Sequence, residues 1–523
     1  MYHPGLRTAV DTVTFHAAHH ADRTALVCEG REVTYAALHQ ESNRTAHALA
    51  SAGIERGSRV AYLGKESEDY YEIFFACAKT GAVLVPINWR LSPAEVEHIL
   101  RDSGAELLFV EREFAGTAER LRAEPPALPA VVELDGREER GTGFRDWKSG
   151  QPDDDLHVSA TPDDPIAQIY TSGTTGLPKG VVLAHRSFFA IRDLGAEHGL
   201  DWIDWRPGDV SLISIPGFHV AGLWWAMQAF NAGVTSVAMR MFAAHDAVRL
   251  IREHGVTTTC AVPAMLQMML SEPGVGRDDF TSLRKVTYGG SPISERLMLQ
   301  CVEVLGCEVG QLYGLTESGN AALCLPPADH LPGSGRLRSA GRPWPGVEVM
   351  IAGDDGTRLP AGEIGEICLR TPAVMVEYWG MKEATDETLA RGWLHTGDAG
   401  YVDEDGYVYV CDRMKDTVIV AGENVYPAEV ENALCKHPGV VEAAVIGVPD
   451  ERWGEAVRAF VVLRPGTTVK PRELKLHLQG LVADFKTPSG YEFVESIPRN
   501  PSGKILRREL RARFWAGRDR QVN

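Results

Sequence analysis

The chain has 523 residues, more than one hydrophobic core usually serves, so two or more domains are expected. Its 44% hydrophobic and 24% charged residues are those of a globular protein, and a formal charge of −18 argues against nucleic acid as the main partner. No run reaches the roughly 18 uncharged apolar residues that a membrane span needs, and the N-terminus lacks an apolar signal core. The nine scattered cysteines form no C-x-x-C pair, which points to reduced thiols in a cytoplasmic protein, with no zinc site and no disulfide framework.

In chain order, residues 1–150 alternate strand-like and helix-like segments: a strand over 59–63, a helix over 69–79 and a strand over 82–87. Ser92-Pro93-Ala-Glu95 sets an N-cap, a first-turn proline and a capping-box glutamate in register for a helix that buries Val96, Ile99 and Leu100 and stops at Gly104. A strand over 105–110 follows. This alternation predicts parallel sheets covered by helices, an α/β architecture. The Pro/Asp-rich stretch 150–165 reads as a surface connection between subregions.

Next comes Tyr170-Thr-Ser-Gly-Thr-Thr-Gly-Leu-Pro-Lys179-Gly180, between apolar runs at 166–170 and 181–183. Glycines let backbone N–H groups approach an anion, hydroxyls add donors and a lysine adds charge, so the loop suits a polyphosphate. It is not a Walker A loop, since no Gly-Lys-Ser/Thr ends it and its flanks suit strands. A plain polar hairpin turn is the competing reading.

The alternation continues to about residue 350, with apolar runs at 210–215, 257–262 and 285–288. In open α/β sheets ligands sit at the carboxyl ends of strands, which nominates Pro216-Gly-Phe-His219, Gly289-Gly290-Ser291-Pro292 and Tyr313-Gly314 as pocket walls. From about 345 short strands and Gly/Asp turns suggest a small β subdomain. The last 110 or so residues read as a compact α+β unit, with strands at 416–420, 440–448 and 456–463, helices at 427–434 and 471–482, and a basic tail.

Singly, the remaining motifs are weak. His219 after an apolar run suits a core histidine as well as a functional one, and Thr316-Glu317 suits a helix start. His395-Thr-Gly-Asp398 suits a turn, and Lys504 a solvated lysine. Together with Asp412-Arg413-Met-Lys415-Asp416, Gly422-Glu-Asn-Val-Tyr-Pro-Ala-Glu429, Val33-Thr34-Tyr35-Ala36 and the Lys79 to Asn88 segment, they stand in the order and spacing of the adenylate-forming superfamily, which the chain resembles from about residue 10 to 512. That group includes acyl- and aryl-CoA synthetases, peptide-synthetase adenylation domains and luciferases.

The resemblance implies a large N-terminal domain over 1–412, made of helix-covered sheets plus the small β subdomain. It further implies a hinge at 413–416 about Lys415 and a small mobile α+β domain over 417–523. It implies ATP, Mg²⁺ and an acid as small-molecule ligands, with CoA the usual acceptor, and a homodimer is common among such enzymes. Thr171, Ser172, Gly173, Thr174, Thr175 and Lys179 would hold the β/γ-phosphates, Thr316 the α-phosphate and Glu317 the Mg²⁺. Tyr313, Gly290, Ser291 and Pro292 would enclose adenine, Asp398 and Arg413 the ribose, and Lys504 would bridge the carboxylate and α-phosphate oxygens as charge builds.

His219, Val220, Trp224, Gly289, Gly314 and Asn320 fall at acid-pocket positions. The run from Phe218 to Gln228 holds no aspartate for an α-ammonium and no arginine for a second carboxylate, so an aromatic or medium-length apolar acid is expected. Gly422, Trp453 and Phe485 match positions around CoA, but Phe485-Lys-Thr-Pro-Ser-Gly lacks basic residues frequent among CoA ligases, and Ala421 replaces a common glycine. CoA ligation is therefore one expectation. The other keeps adenylation but passes the product to an amine, to a carrier-protein thiol, or activates nitrite toward an aromatic amine, as diazotases do. A silent homologue is disfavoured by intact Lys179, Glu317, Asp398, Arg413 and Lys504.

Overall fold

The computed structural model describes residues 2–117, 130–134, 143–156, 158–172, 178–200, 204–291, 293–331, 333–420, 423–450, 452–499 and 505–516. A seven-stranded sheet runs in the order Glu377–Tyr378, Pro178–Ala184, Pro165–Ser172, Val83–Ile87, Arg59–Leu63, Leu107–Glu111 and Ala130–Leu134. Its last five strands are parallel, as helix-linked strands should be, while the first three form antiparallel pairs. A nine-stranded sheet is ordered Arg342–Pro343, Leu323–Leu325, Glu308–Tyr313, Lys285–Gly289, Thr258–Ala261, Val210–Ile213, Thr235–Ala238, Thr24–Cys28 and Arg31–Thr34. The N-terminal strands thus complete a sheet whose remaining strands come from the middle of the chain.

Local sequence explains the elements between. Helix Pro93–Ser103 starts on the expected capping box: Ser92 N–H donates to Glu95 Oε2 at 2.8 Å and Ser92 Oγ accepts from Glu95 N–H. Its apolar face is Val96, Ile99 and Leu100, all buried, each worth about 1.5–3 kcal/mol for full burial. Helix Glu68–Thr80 is capped by Ser67 and packs Phe74 and Phe75 between the layers. Helix Val220–Ala232 buries almost its whole circumference, which fits a sequence without a charged residue.

A four-stranded antiparallel sheet, Glu348–Ala352, Gly365–Arg370, Leu394–Val402 and Val408–Arg413, forms the β subdomain. The C-terminal unit has its own five-stranded sheet and its own core, built on Val418, Val425, Val430, Leu434, Val445, Val461 and Leu474. Its second helix ends at Leu478, short of the expected residue 482, because Gln479 turns extended ahead of Gly480.

The stretch 150–165 does not divide subregions. It connects two strands of the same sheet and lies across helix Tyr35–Ser51, where Asn43 and Arg44 donate to Asp153. No helix among the described residues is long and apolar enough to cross a membrane, and all nine cysteines are free thiols.

Candidate active site

The flanks of the glycine- and hydroxyl-rich loop pair as antiparallel strands, with Thr171 opposite Lys179 and Ser172 opposite Pro178. Hairpin and phosphate loop are therefore compatible readings of one stretch. Gly173, Thr174 and Thr175 lie outside the described residues, as does the side chain of Ser172. Lys179 is described: its Nζ sits 5.1 Å from the ring centroid of Tyr378. Tyr378 belongs to the two-residue edge strand that pairs with Val181, and its hydroxyl donates to Glu317 Oε1 at 2.8 Å. One aromatic ring thus spans from the lysine to the glutamate.

Glu317 is set by the turn that follows strand Glu308–Tyr313. Thr316–Ser318 make a single 3-10 turn, Ser318 Oγ accepts from Leu315 N–H, and Met375 N–H donates to the Glu317 carbonyl. Asn320 then takes a φ of +84°, a left-handed conformation for a side-chain-bearing residue, and its N–H closes back on the Leu315 carbonyl. A Cβ at residue 314 would lie 1.3 Å from Asn320 O, so position 314 has room only for glycine. Backbone strain of this kind gathers at functional sites and costs on the order of 1–3 kcal/mol.

In the β subdomain Asp398 and Arg413 are cross-strand partners, with Arg413 Nε 2.8 Å from Asp398 Oδ1. Tyr313 hydroxyl donates to Asp398 Oδ2 at 2.7 Å, tying the large sheet to the β subdomain. Burial, then the carboxylate it faces, pushes the Tyr313 phenol well above its usual pKa, so it stays a donor. The turn carrying Asp398 is fixed from behind: Thr396 Oγ donates to Ile367 O at 2.6 Å, Gly397 N–H to Glu366 Oε1 at 2.9 Å, and His395 Nδ1 lies 2.7 Å from Glu366 Oε2.

Gly289 ends strand Lys285–Gly289 against Leu312, and Gly290 and Ser291 follow it, on the same edge as Tyr313. Pro292 lies outside the described residues, as do Gly422 and Lys504; so does the side chain of Lys415, which sits in the 3-10 turn Met414–Asp416. His219 caps helix Val220–Ala232, with its ring 4.7 Å from that of Phe218. Trp224 and Gln228 line a small cavity with Ile191, Leu200, Trp205 and Trp344, while Trp225 packs on Trp205. Both tryptophans are almost fully buried, and Trp224 also bounds empty space. Trp453 and Phe485 are exposed on the C-terminal unit. Lys486, the cation beside Phe485, is 2.7 Å from Glu429.

Tyr378 escaped the sequence reading: its one local sign is the alternation Val374, Val376, Tyr378, which suits an edge strand but names no partner. A hard divalent cation fits Glu317. The residue is only 8% exposed, and its carboxylate takes Tyr378 on Oε1 and receives no donor on Oε2 among the described residues.

Two helix-covered sheets, a β subdomain tied to them through Tyr313 and Asp398, and a small C-terminal unit match one class, the ATP-binding adenylate-forming ligases. The chain belongs to the AMP-binding enzyme family, matching AMP-binding enzymes over residues 13–379 and their C-terminal domain over 429–504. It is 61% identical, over 100% of its length and 99% of the relative's, to the fatty acid–[acyl-carrier-protein] ligase ScoC of Streptomyces coeruleorubidus. It is 38% identical to a feruloyl-CoA synthase of an Amycolatopsis species, over 94% of this chain and 96% of that one. Among solved structures it resembles ATP-bound MatB from Rhodopseudomonas palustris, with a TM-score of 0.88 and 29% identity over 97% of this chain and 99% of that one.

Proposed function

We propose that the enzyme activates an apolar, aliphatic acid as its acyl-adenylate and passes the acyl group to the phosphopantetheine thiol of a carrier protein. The observation that carries this reading is the 61% identity, end to end, with a fatty acid–[acyl-carrier-protein] ligase. Two features of this chain agree. The helix after His219 offers no charged group to a substrate, and the cation after Phe485 is neutralised by Glu429 instead of facing a triply charged nucleotide.

In the first half-reaction a carboxylate oxygen attacks the α-phosphorus of ATP, and the bond to the bridging oxygen of pyrophosphate breaks. Both partners are anions, so the task is to cancel charge and align atoms. In this reading Lys179 and the hairpin hydroxyls hold the β/γ-phosphates, Thr316 the α-phosphate, and Glu317 a Mg²⁺ that offsets phosphate charge. Tyr313 holds Asp398 on one oxygen and Arg413 holds it on the other, presetting the carboxylate that takes the ribose hydroxyls. Lys504 neutralises charge at the reacting oxygens. In the second half-reaction the thiol sulfur attacks the acyl carbon and AMP leaves. The division into 1–412, a hinge at 413–416 and 417–523 belongs to the same proposal.

CoA is the second reading, favoured by the exposed Trp453 and Phe485 and by the 38% identity to a feruloyl-CoA synthase. The test is pyrophosphate release over a series of fatty acids, aryl acids and nitrite, then acyl transfer to CoA, free pantetheine and a panel of holo carrier proteins. A carrier protein is expected to exceed CoA in kcat/KM by at least about tenfold, or about 1.4 kcal/mol. Acyl-CoA formation as efficient as the best carrier overturns the carrier reading, and fastest release with nitrite or an aryl acid overturns the aliphatic one.

A further inference from the structure

The loop 214–219, which brings His219 to the head of helix Val220–Ala232, is gripped by a segment on which no role has yet been placed. Glu66 precedes helix Glu68–Thr80 in a run, Lys-Glu-Ser-Glu-Asp, that reads as surface, yet its side chain is only 4% exposed. Its Oε2 accepts Gly217 N–H at 2.8 Å and its Oε1 accepts the Tyr71 hydroxyl. The Tyr70 hydroxyl donates to Gly217 O at 2.8 Å. Both backbone polar groups of Gly217 are therefore held from one side by residues 66 and 70.

The fit is close on each face. A Cβ at residue 217 would lie 2.5 Å from the Tyr70 ring and hydroxyl, and one at residue 222 would lie 2.3 Å from the carbonyl oxygens of Ile215 and Pro216. The loop is pinned between the 66–71 segment and the first turn of the helix behind it. Burial pushes the Glu66 carboxyl up to about 7, against the pull of the Tyr71 hydroxyl and Gly217 N–H. A group so costly to bury is kept where a buried N–H would otherwise have no partner.

We propose that Glu66, with Tyr70, is a positioning residue for the acid substrate, acting through Gly217 to fix His219 and the opening turn of helix Val220–Ala232. The inference rests on the reading of this loop as a wall of the acid site. Glu66 touches neither the nucleotide-side pair Asp398–Arg413 nor Glu317, so its effect is confined to the acid.

The experiment measures acid-dependent pyrophosphate release, with separate KM values for acid and ATP, and thermal midpoints for Glu66→Gln, Glu66→Ala and Tyr70→Phe. Glutamine can accept Gly217 N–H through its amide oxygen and donate to the Tyr71 oxygen, so Glu66→Gln is expected within about twofold of wild type in every constant. Glu66→Ala is expected to raise the acid KM about 10- to 100-fold with the ATP KM within about twofold, since a loop shift near 1 Å is costly at a reacting site. Tyr70→Phe, which keeps the ring, is expected to move the acid KM the same way by about fivefold and decides the matter if Glu66→Ala does not fold.

A lowered midpoint with unchanged acid KM, or equal losses toward acid and ATP, would overturn the positioning role. Failure of wild type to release pyrophosphate with any acid would instead overturn the functional reading itself. If wild type turns over an acid while His219→Ala leaves its KM unmoved, the loop is no wall of the acid site, and the inference falls with it.

Discussion

At residue 314 the site depends on the absence of a single methyl group. The carbonyl of Asn320 fills the place of a Cβ, because the chain doubles back after Glu317 with Asn320 in a left-handed conformation. Thr316 and Glu317 lie inside that closed turn, so any relief of the clash must move them. Gly314→Ala is therefore expected to keep its far-UV circular dichroism yet lose acid-dependent pyrophosphate release by about 10²-fold, the usual result of displacing reacting groups by about 1 Å. Wild-type rates in this variant would show that the turn relaxes without carrying Glu317 along. Asp398 is set differently, through a hydrogen bond from Tyr313 and an ion pair with Arg413, and loss of that hydroxyl or guanidinium removes one support of two.

At the scale of elements, regular structure was largely legible from local rules. The capped helix at 93–103, the strands near 59–63, 83–87, 107–111, 210–213, 258–261 and 285–289 and the short strands of the β subdomain follow from caps, periodicity and turn residues. What local rules lacked were contacts between distant elements. Tyr378 comes from a two-residue strand paired to strand Pro178–Ala184 about 200 residues earlier, and Glu66 hides in a charged run. Asp398 and Arg413 were paired through the family resemblance, and their facing register on adjacent strands is the physical basis of that pairing.

The N-terminal helix Ala9–His19 is another long-range attachment, with a pH dependence that follows from its chemistry. Ala9 N–H donates to His185 Nδ1 at 3.1 Å, so that nitrogen must be unprotonated. Burial lowers the His185 pKa from 6.5 to about 4, against the smaller opposing pull of Asp164 and Asp11. With the folded value depressed, the neutral imidazole contributes its full stability above about 6.5. That contribution is lost as pH falls toward 4, up to about 3 kcal/mol in all. Amide exchange across residues 9–19, corrected for intrinsic rates, is expected to rise at pH 5 relative to pH 7.5. In His185→Gln, whose amide oxygen can accept the same N–H without titrating, the rise should be smaller, the remainder belonging to His16 of the same helix, whose pKa burial also lowers to about 4. Parallel loss of protection in both proteins would exclude the imidazole as the cause.

For the whole molecule, the two proposed half-reactions share one site, and the C-terminal unit is fastened to the chain at its junction with the β subdomain. Asp412 and Asp416 flank Lys415, and residues of the small unit hold both: Ala428 N–H donates to Asp412 Oδ2 at 2.8 Å, and Arg511 Nη1 lies 3.0 Å from Asp416 Oδ1. Arg507 approaches both aspartates and bonds Glu431 at 2.8 Å, so the start of helix Arg507–Trp515 is fastened to the proposed hinge and to the small unit's first helix together. Lys504 stands three residues before Arg507 in the chain, and rotation about 413–416 would carry it as part of that unit. A lysine delivered this way can serve adenylation and then withdraw to admit the thiol. Lys504→Ala is accordingly expected to lose acid-dependent pyrophosphate release by at least about 10²-fold, while consuming a chemically supplied acyl-adenylate with the thiol acceptor at close to the wild-type rate. Equal loss of both half-reactions would mean that Lys504 serves one fixed site, and that alternation about residues 413–416 does not separate the two steps.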